Sequence, residues 1–181
     1  MHKPTSAELA AAKAKRIPDL LRADLEVVFC GINPGLYSAA VGHNFARPGN
    51  RFWPALFAAG FTPRLFTGFD DHELLELGCG MTNIVSRASA RAEELTTEEL
   101  RRGARSLRRK ILKYRPRYLA VVGIGAFRSA FKKPAAVIGP QPDPIGDTTV
   151  WLLPNTSGLN ANHRPAQLAE LFEQLRIAAG L

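Results

Sequence analysis

The chain has 181 residues, room for one domain of about 150 residues and little more, and its 46% hydrophobic and 22% charged content excludes disordered, collagenous and disulfide-stapled classes. No apolar run approaches the ~18 residues of a membrane span, and the Ala- and Lys-rich start lacks the apolar centre of a signal peptide, so a cytoplasmic protein is expected. The net charge of +8 is local: residues 101–117 hold nine basic side chains and no acid. Such a run suits a polyanion partner, or simply a solvated helix face.

In chain order, residues 6–15 read as a short Ala-rich helix, part of an N-terminal extension over residues 1–19 of one domain spanning 1–181. Leu25 to Ile32 reads as a buried strand closed by Asn-Pro-Gly. Phe52 to Ala59 and residues 70–77 suit helices, and Met81 to Val85 a short strand. From Thr96 or Thr97 an acidic first turn opens a helix to about Tyr114, with Ala104, Leu107, Ile111 and Tyr114 as its apolar stripe. Tyr118 to Val122 and Thr149 to Leu153 are further buried strands, and Pro165 opens an amphipathic helix to about residue 178. The alternation predicts a three-layer α/β/α sandwich around a mostly parallel sheet.

Ligands of such folds bind beyond the carboxyl ends of the strands. Three segments follow strands there: Gly31-Ile32-Asn33-Pro34-Gly35, Gly123-Ile124-Gly125, and Pro154-Asn155-Thr156-Ser157-Gly158-Leu159-Asn160. The glycine pair lacks the third glycine of a dinucleotide fingerprint, and no phosphate loop of the GK[ST] type occurs. Four histidines without metal spacing, a Ser157 without the GxSxG setting and two cysteines within apolar stretches leave metal and serine-nucleophile chemistry without a pattern. What remains is rich in carboxamides: Asn33, Asn83 and Asn155, beside glycines and Phe45. An asparagine cannot take a proton at neutral pH, but it can orient a water or pair with a planar heterocycle; each could equally close an Asx turn.

Four ordered segments carry a resemblance. Gly31-Ile32-Asn33-Pro34-Gly35-Leu36, Gly42-His43-Asn44-Phe45-Ala46-Arg47-Pro48-Gly49-Asn50-Arg51-Phe52-Trp53, Gly78-Cys79-Gly80-Met81-Thr82-Asn83 and Leu153-Pro154-Asn155-Thr156-Ser157-Gly158-Leu159 resemble the mismatch-specific uracil-DNA glycosylases, the branch that includes thymine-DNA glycosylase. The likeness runs from about Leu20 to Leu175. It implies a monofunctional, monomeric glycosylase without metal or organic cofactor, acting on double-stranded DNA with uracil, or related pyrimidines, mispaired with guanine.

By the same resemblance, Asn33 positions the attacking water and Ser89 is its second partner. Phe45 stacks on the flipped base, and Ile32, Gly35, Ser38, Asn83 and Asn155 complete the base pocket, with Ser38 small enough to leave room at the pyrimidine C5 edge. Leu159 is expected to enter the base stack while Gly158 and Asn160 read the widowed guanine. Arg47, Arg101, Arg102, Arg105 and Arg164 are candidate phosphate contacts. Two departures stand out: Ala161 occurs where the bacterial relatives carry an arginine nearby, and Asn83 where some carry lysine, which implies a broader range of pyrimidines. Two other classes remain open: a non-catalytic nucleic-acid-binding α/β protein with a degenerate pocket, and a phosphate- or nucleotide-binding enzyme using Gly123 to Ala126 at a helix N-terminus.

Overall fold

The computed structural model describes residues 3–158 and 162–181, so the positions expected to enter the stack, Leu159, and to read guanine, Asn160, lie outside the described residues. A strand covered on both faces must be apolar throughout, and β1 (Val27–Gly31) is buried at all five positions. Its side chains alternate between two cores: Val27 and Phe29 face one, Val28 and Cys30 the other. The same split recurs in β3 (Tyr118–Val122) and β5 (Thr149–Leu153).

With β2 (Cys79–Asn83) and the short β4 (Gly139–Pro140), these form a five-stranded sheet in the order β2-β1-β3-β5-β4, parallel except for β4. Helices α3 (Phe52–Ala58) and α6 (Pro165–Ala179) cover the first face through Phe52, Leu56, Leu168 and Phe172. Helices α4 (Thr97–Tyr114) and α5 (Ile124–Phe131) cover the second through Leu107, Ile111 and Phe127. The three-layer α/β/α arrangement expected from the sequence is the fold. The chain leaves β1 towards β2 on one side and β3 towards β5 on the other, so the crevice beyond β1 and β3 is the topological switch point of the sheet. Among the described residues no helix is long and apolar enough to cross a membrane.

Several boundaries differ from expectation, each for a local reason. The N-terminal helix α1 spans only Ser6–Ala11 and gives way to a 3-10 turn over Ala12–Ala14; Ala12 alone is buried, against Ala39 and Ala88. A short helix, α2 (Leu36–Val41), fills the turn after β1 and is too brief for periodicity to register. Residues 70–77 are not an α-helix: Gly68–Leu75 is 3-10, because Thr67 and Asp70 cap one another and Asp71 turns inward to polar partners. The strand expected over Met81–Val85 sits two residues earlier, since Val27 to Gly31 pair in register with Cys79 to Asn83. Ile84 and Val85 are buried beyond the strand end, where their amides still donate to Gly31 and Ile32 carbonyls at 2.9 Å.

That exit places Ile84 directly under α4. A Cβ built on Gly103, in the middle of α4, would run into the Ile84 carbonyl oxygen, a backbone atom that cannot swing aside. Alanine normally favours a helix interior over glycine by about 1 kcal/mol. Here Gly103→Ala is expected to destabilise by about 1–3 kcal/mol, because the helix must lift off the sheet. Urea unfolding checks it, and a stabilised variant would refute the contact.

Candidate active site

The carboxyl ends of the four parallel strands open into one cleft of about 890 Å³. Its floor depends on how the loops after β1 and β2 are tied together. Beyond the strand ends, Ser89 N donates to Pro34 O at 3.1 Å, and Gly35 and Ser89 form an isolated parallel bridge. This pairing sets the Ser89 side chain against Asn33.

The Asn33 amide nitrogen donates to Ser89 Oγ at 2.8 Å and to Arg87 O at 2.9 Å, with Pro34 O a longer third acceptor at 3.3 Å. Ser89 Oγ in turn donates to Arg91 O at 2.7 Å, so it meets Asn33 as an acceptor. Both Asn33 N–H groups are committed and the polarity of the amide is fixed. Its Oδ1, on a residue lining the cleft, has no partner among the described residues. Ser89 is 2% exposed, and its hydrogen bonding goes to Asn33 and the Arg91 carbonyl, the part of a support.

Phe45 is half-buried, with its ring stacked on Phe52 at 4.1 Å between centroids and 9° between planes. Its φ of +50° lies in the left-handed region, which a bulky side chain rarely adopts. Strain of this kind costs of order 1 kcal/mol and persists only where surrounding packing enforces it, here the stack. Across from the ring, Asn83 ends β2, and its Nδ2 lies 3.4 Å from Asn44 Oδ1. Asn83 Oδ1 leans over Gly31, 2.5 Å from where a Cβ would stand, with Phe45 Cζ 3.2 Å from that point. Glycine at the end of β1 is what lets the amide and the ring approach each other.

Ile32, Gly35, Ser38 and Asn155 line the same cleft. Ser38 is buried and its Oγ accepts from Ala46 N at 3.0 Å, which holds the Phe45 loop down. Asn155 closes an Asx turn, its Oδ1 accepting from Ser157 N at 2.9 Å. Gly158 and Arg47 meet in an adjoining recess of about 200 Å³. Arg47 is exposed and borders both spaces, whereas Arg164 is exposed before α6, where its backbone N donates to Gln167 at 2.8 Å.

The basic helix meets the cleft at its first turn. Thr97 and Leu100 of α4 line it; Arg101, Arg102 and Arg105 do not, and stand exposed on the same helix. At the far end Arg117 is tied into the fold, bonding Glu26 at 3.0 Å and the Ala179 carbonyl at 3.1 Å. The two thiols are buried, and burial pushes Cys79 up to about 12 and Cys30 higher still, so neither supplies a thiolate at neutral pH. Among the described residues no group of three or more His, Cys, Asp or Glu side chains is placed to hold a metal ion.

Sequence reasoning passed over four residues that build the site. Asn50 Oδ1 accepts from Phe52 N at 2.9 Å and Thr156 Oγ1 at 3.0 Å, joining the start of α3 to the loop after β5. The Arg51 guanidinium donates to Ser157 O at 3.1 Å and His163 O at 2.6 Å, bracing the same loop from both sides. Asn44 and Asp71 stand behind Asn83. An asparagine after Pro48-Gly49 was a readable turn signal for Asn50, whose side chain closes an Asx turn onto Phe52; nothing local announced the other three.

Fold and cleft together define a three-layer α/β/α protein with its site at the carboxyl ends of a parallel sheet. The uracil DNA glycosylase superfamily model matches residues 18–176, and the chain belongs to that superfamily. The fold is also similar to the solution NMR structure of a candidate uracil DNA glycosylase from Methanosarcina acetivorans, at 19% identity and a TM-score of 0.54, over 90% of this chain and 98% of that one.

The loop that carries Ser89 is anchored to α4 by Arg87, whose guanidinium meets the two Glu99 carboxylate oxygens at 2.7 and 3.1 Å. That hydrogen bond, with help from the Thr96 backbone, holds the Glu99 carboxyl down at about 2, below its usual 4.5. A carboxyl lowered on folding stabilises above its unfolded value and loses that contribution as pH falls through the folded one. The stability difference between the parent and Glu99→Gln should therefore be full at about pH 6 and vanish between pH 4.5 and about 2, as read by urea unfolding across pH.

Proposed function

We propose that the protein is a monofunctional DNA glycosylase of the mismatch-specific branch, which hydrolyses the N-glycosidic bond of uracil, or a related pyrimidine, opposite guanine. The observation that carries the reading is Asn33: an amide with both N–H groups anchored and its Oδ1 left as an acceptor in the cleft. Breaking the C1′–N1 bond leaves oxocarbenium character on the sugar and an anionic base. A water held by Asn33 Oδ1 then adds at C1′ and gives its proton to solvent, so the products are the free base and an abasic site. Because the electrophile is so reactive, the water needs placement more than deprotonation, a task suited to an amide. Ser89 acts by holding Asn33.

The target base must leave the duplex to reach this depth. Once there, Phe45 offers it a stacking face and Asn83 an amide edge with an acceptor and a donor. Ser38 is small, which leaves space at the pyrimidine C5 edge. Both the Phe45 ring and the Asn33 support are fixed in the fold before any ligand arrives, which lowers the ordering cost of binding.

A uracil–guanine duplex, read by alkaline strand cleavage, tests the reading. Excision supports it, and duplex binding without excision would leave a non-catalytic DNA-binding protein. Asn33→Ala should lower single-turnover excision at least about 100-fold, the scale of a misplaced reactant, while duplex affinity changes by no more than about threefold. Unchanged excision would remove Asn33 from the reaction.

The α4 arginines separate by position. If Arg101, Arg102 and Arg105 hold phosphates, neutralising them flattens the dependence of log affinity on log salt by about 0.9 for each phosphate no longer neutralised. Arg115 caps the other end of the helix and Arg117 lies beyond it, about 15–21 Å along the axis from Arg105 and Arg101, and their removal should leave the slope unchanged. Equal slopes in parent and both variants would make the basic run a solvated face.

A further inference from the structure

Behind the amide edge of the cleft lies a carboxylate that does not touch it. Asp71 is 4% exposed and sits in the 3-10 segment Gly68–Leu75, outside the residues lining the cleft. One carboxylate oxygen accepts from Asn44 N at 2.8 Å and from Asn44 Nδ2 at 3.2 Å; the other meets His43 Nδ1 at 3.1 Å. A carboxylate only accepts, so the Asn44 amide must turn its nitrogen to Asp71 and its oxygen away. That oxygen is the partner of Asn83 Nδ2, at 3.4 Å. The polarity of Asn83 is thereby set two side chains away, with its Oδ1 held over Gly31 and close to the Phe45 ring.

Resting on the reading of the cleft as a pyrimidine pocket, we propose that Asp71 is a positioning residue that fixes the hydrogen-bond polarity of Asn83 through Asn44 and so sets which pyrimidine edge the pocket accepts. The edge of uracil presents an N3–H donor beside an O4 acceptor, and an amide with its oxygen and nitrogen in the matching order pairs with both. Cytosine presents an N3 acceptor beside an N4–H donor, which needs the same amide reversed. An asparagine free to flip would serve either, and one locked by a buried carboxylate serves one. The lock needs the acceptor at 71: with an alanine there, no side chain distinguishes the nitrogen of the Asn44 amide from its oxygen, and both orders along the chain become open.

The test measures duplex affinity with 2′-fluoroarabino analogues of deoxyuridine and deoxycytidine, which resist hydrolysis, each opposite a tetrahydrofuran abasic analogue so that base pairing does not contribute. The parent should prefer the uracil duplex by about tenfold or more, the scale of an amide pairing against a mismatched edge. Asp71→Ala should bring the ratio to within about threefold of unity by weakening uracil and strengthening cytosine binding. Asn44→Ala, which keeps the backbone N–H that Asp71 binds, should do the same, and Asp71→Ala added to it should change the ratio no further. A structural role would instead weaken both duplexes alike and add in the double variant. If Asp71→Ala unfolds, Asn44→Ala alone decides, since an unchanged ratio there overturns the relay. Should the parent excise uracil while its ratio is indifferent to both substitutions, the relay fails and the glycosylase reading stands. A parent that neither excises uracil nor prefers it in binding overturns both.

Discussion

The hydrogen bonds that continue past the ends of β1 and β2 are the constraint on which the site rests. Two parallel strands in register normally part where their loops begin, yet here Ile84, Val85 and Ser89 keep donating to Gly31, Ile32 and Pro34. The loop after β2 is thus laid alongside the loop after β1, and Asn33 finds Ser89 and the Arg87 carbonyl at its side. The Arg87 guanidinium then fastens the same loop to the first turn of α4 through Glu99. Released from this pairing, the Asn33 amide would rotate freely and lose its defined acceptor.

Much of the architecture was legible in the residues. Strands buried on both faces must be apolar, so β1, β3 and β5 could be read directly, and α4 announced itself with the Thr96 cap and the Leu107 and Ile111 stripe. The register of β2 was not legible, because Ile84 and Val85 are as apolar as any strand residue and only pairing with β1 places the strand earlier. The site divides in the same way. Asn33 and Asn155 stood out because they follow strands, where chemistry concentrates in such folds, and Asn83 as a third carboxamide, whereas Ser38, inside α2, and the role of Phe45 came only from the resemblance. Asp71 and Arg51 were not found, because their roles arise from partners 27 to 112 residues distant, and no local window contains both halves of such a bond. For the basic helix, composition gave the charge, but only the fold shows that Thr97 and Leu100, not its arginines, border the cleft.

The polar groups of the cleft are graded by depth. Neutral amides from Asn33 and Asn83 face the space itself, and Asp71, the one buried carboxylate among the described residues, is kept one side chain further back. This order suits chemistry in which negative charge develops on a departing group, since a carboxylate in contact would oppose it. Exposed charged side chains, Arg47, Arg91 and Glu93, border the cleft, and Arg101, Arg102 and Arg105 stand outside it, where a polyanion could meet them without disturbing the interior.

Phe45 belongs to two structures at once. Its upper face borders the cleft, and its lower face rests on Phe52, which is itself in contact with Phe29, Trp53 and Phe172. The ring's resting position is therefore an output of the hydrophobic core rather than a property of the loop that carries it. Trimming a side chain such as Phe172, on α6 and outside the lining of the cleft, would leave every amide there in place and yet slacken the surface on which a planar ligand settles. Selection for a steady pocket and selection for a well-filled core thus fall on the same aromatic residues, and neither can drift without the other.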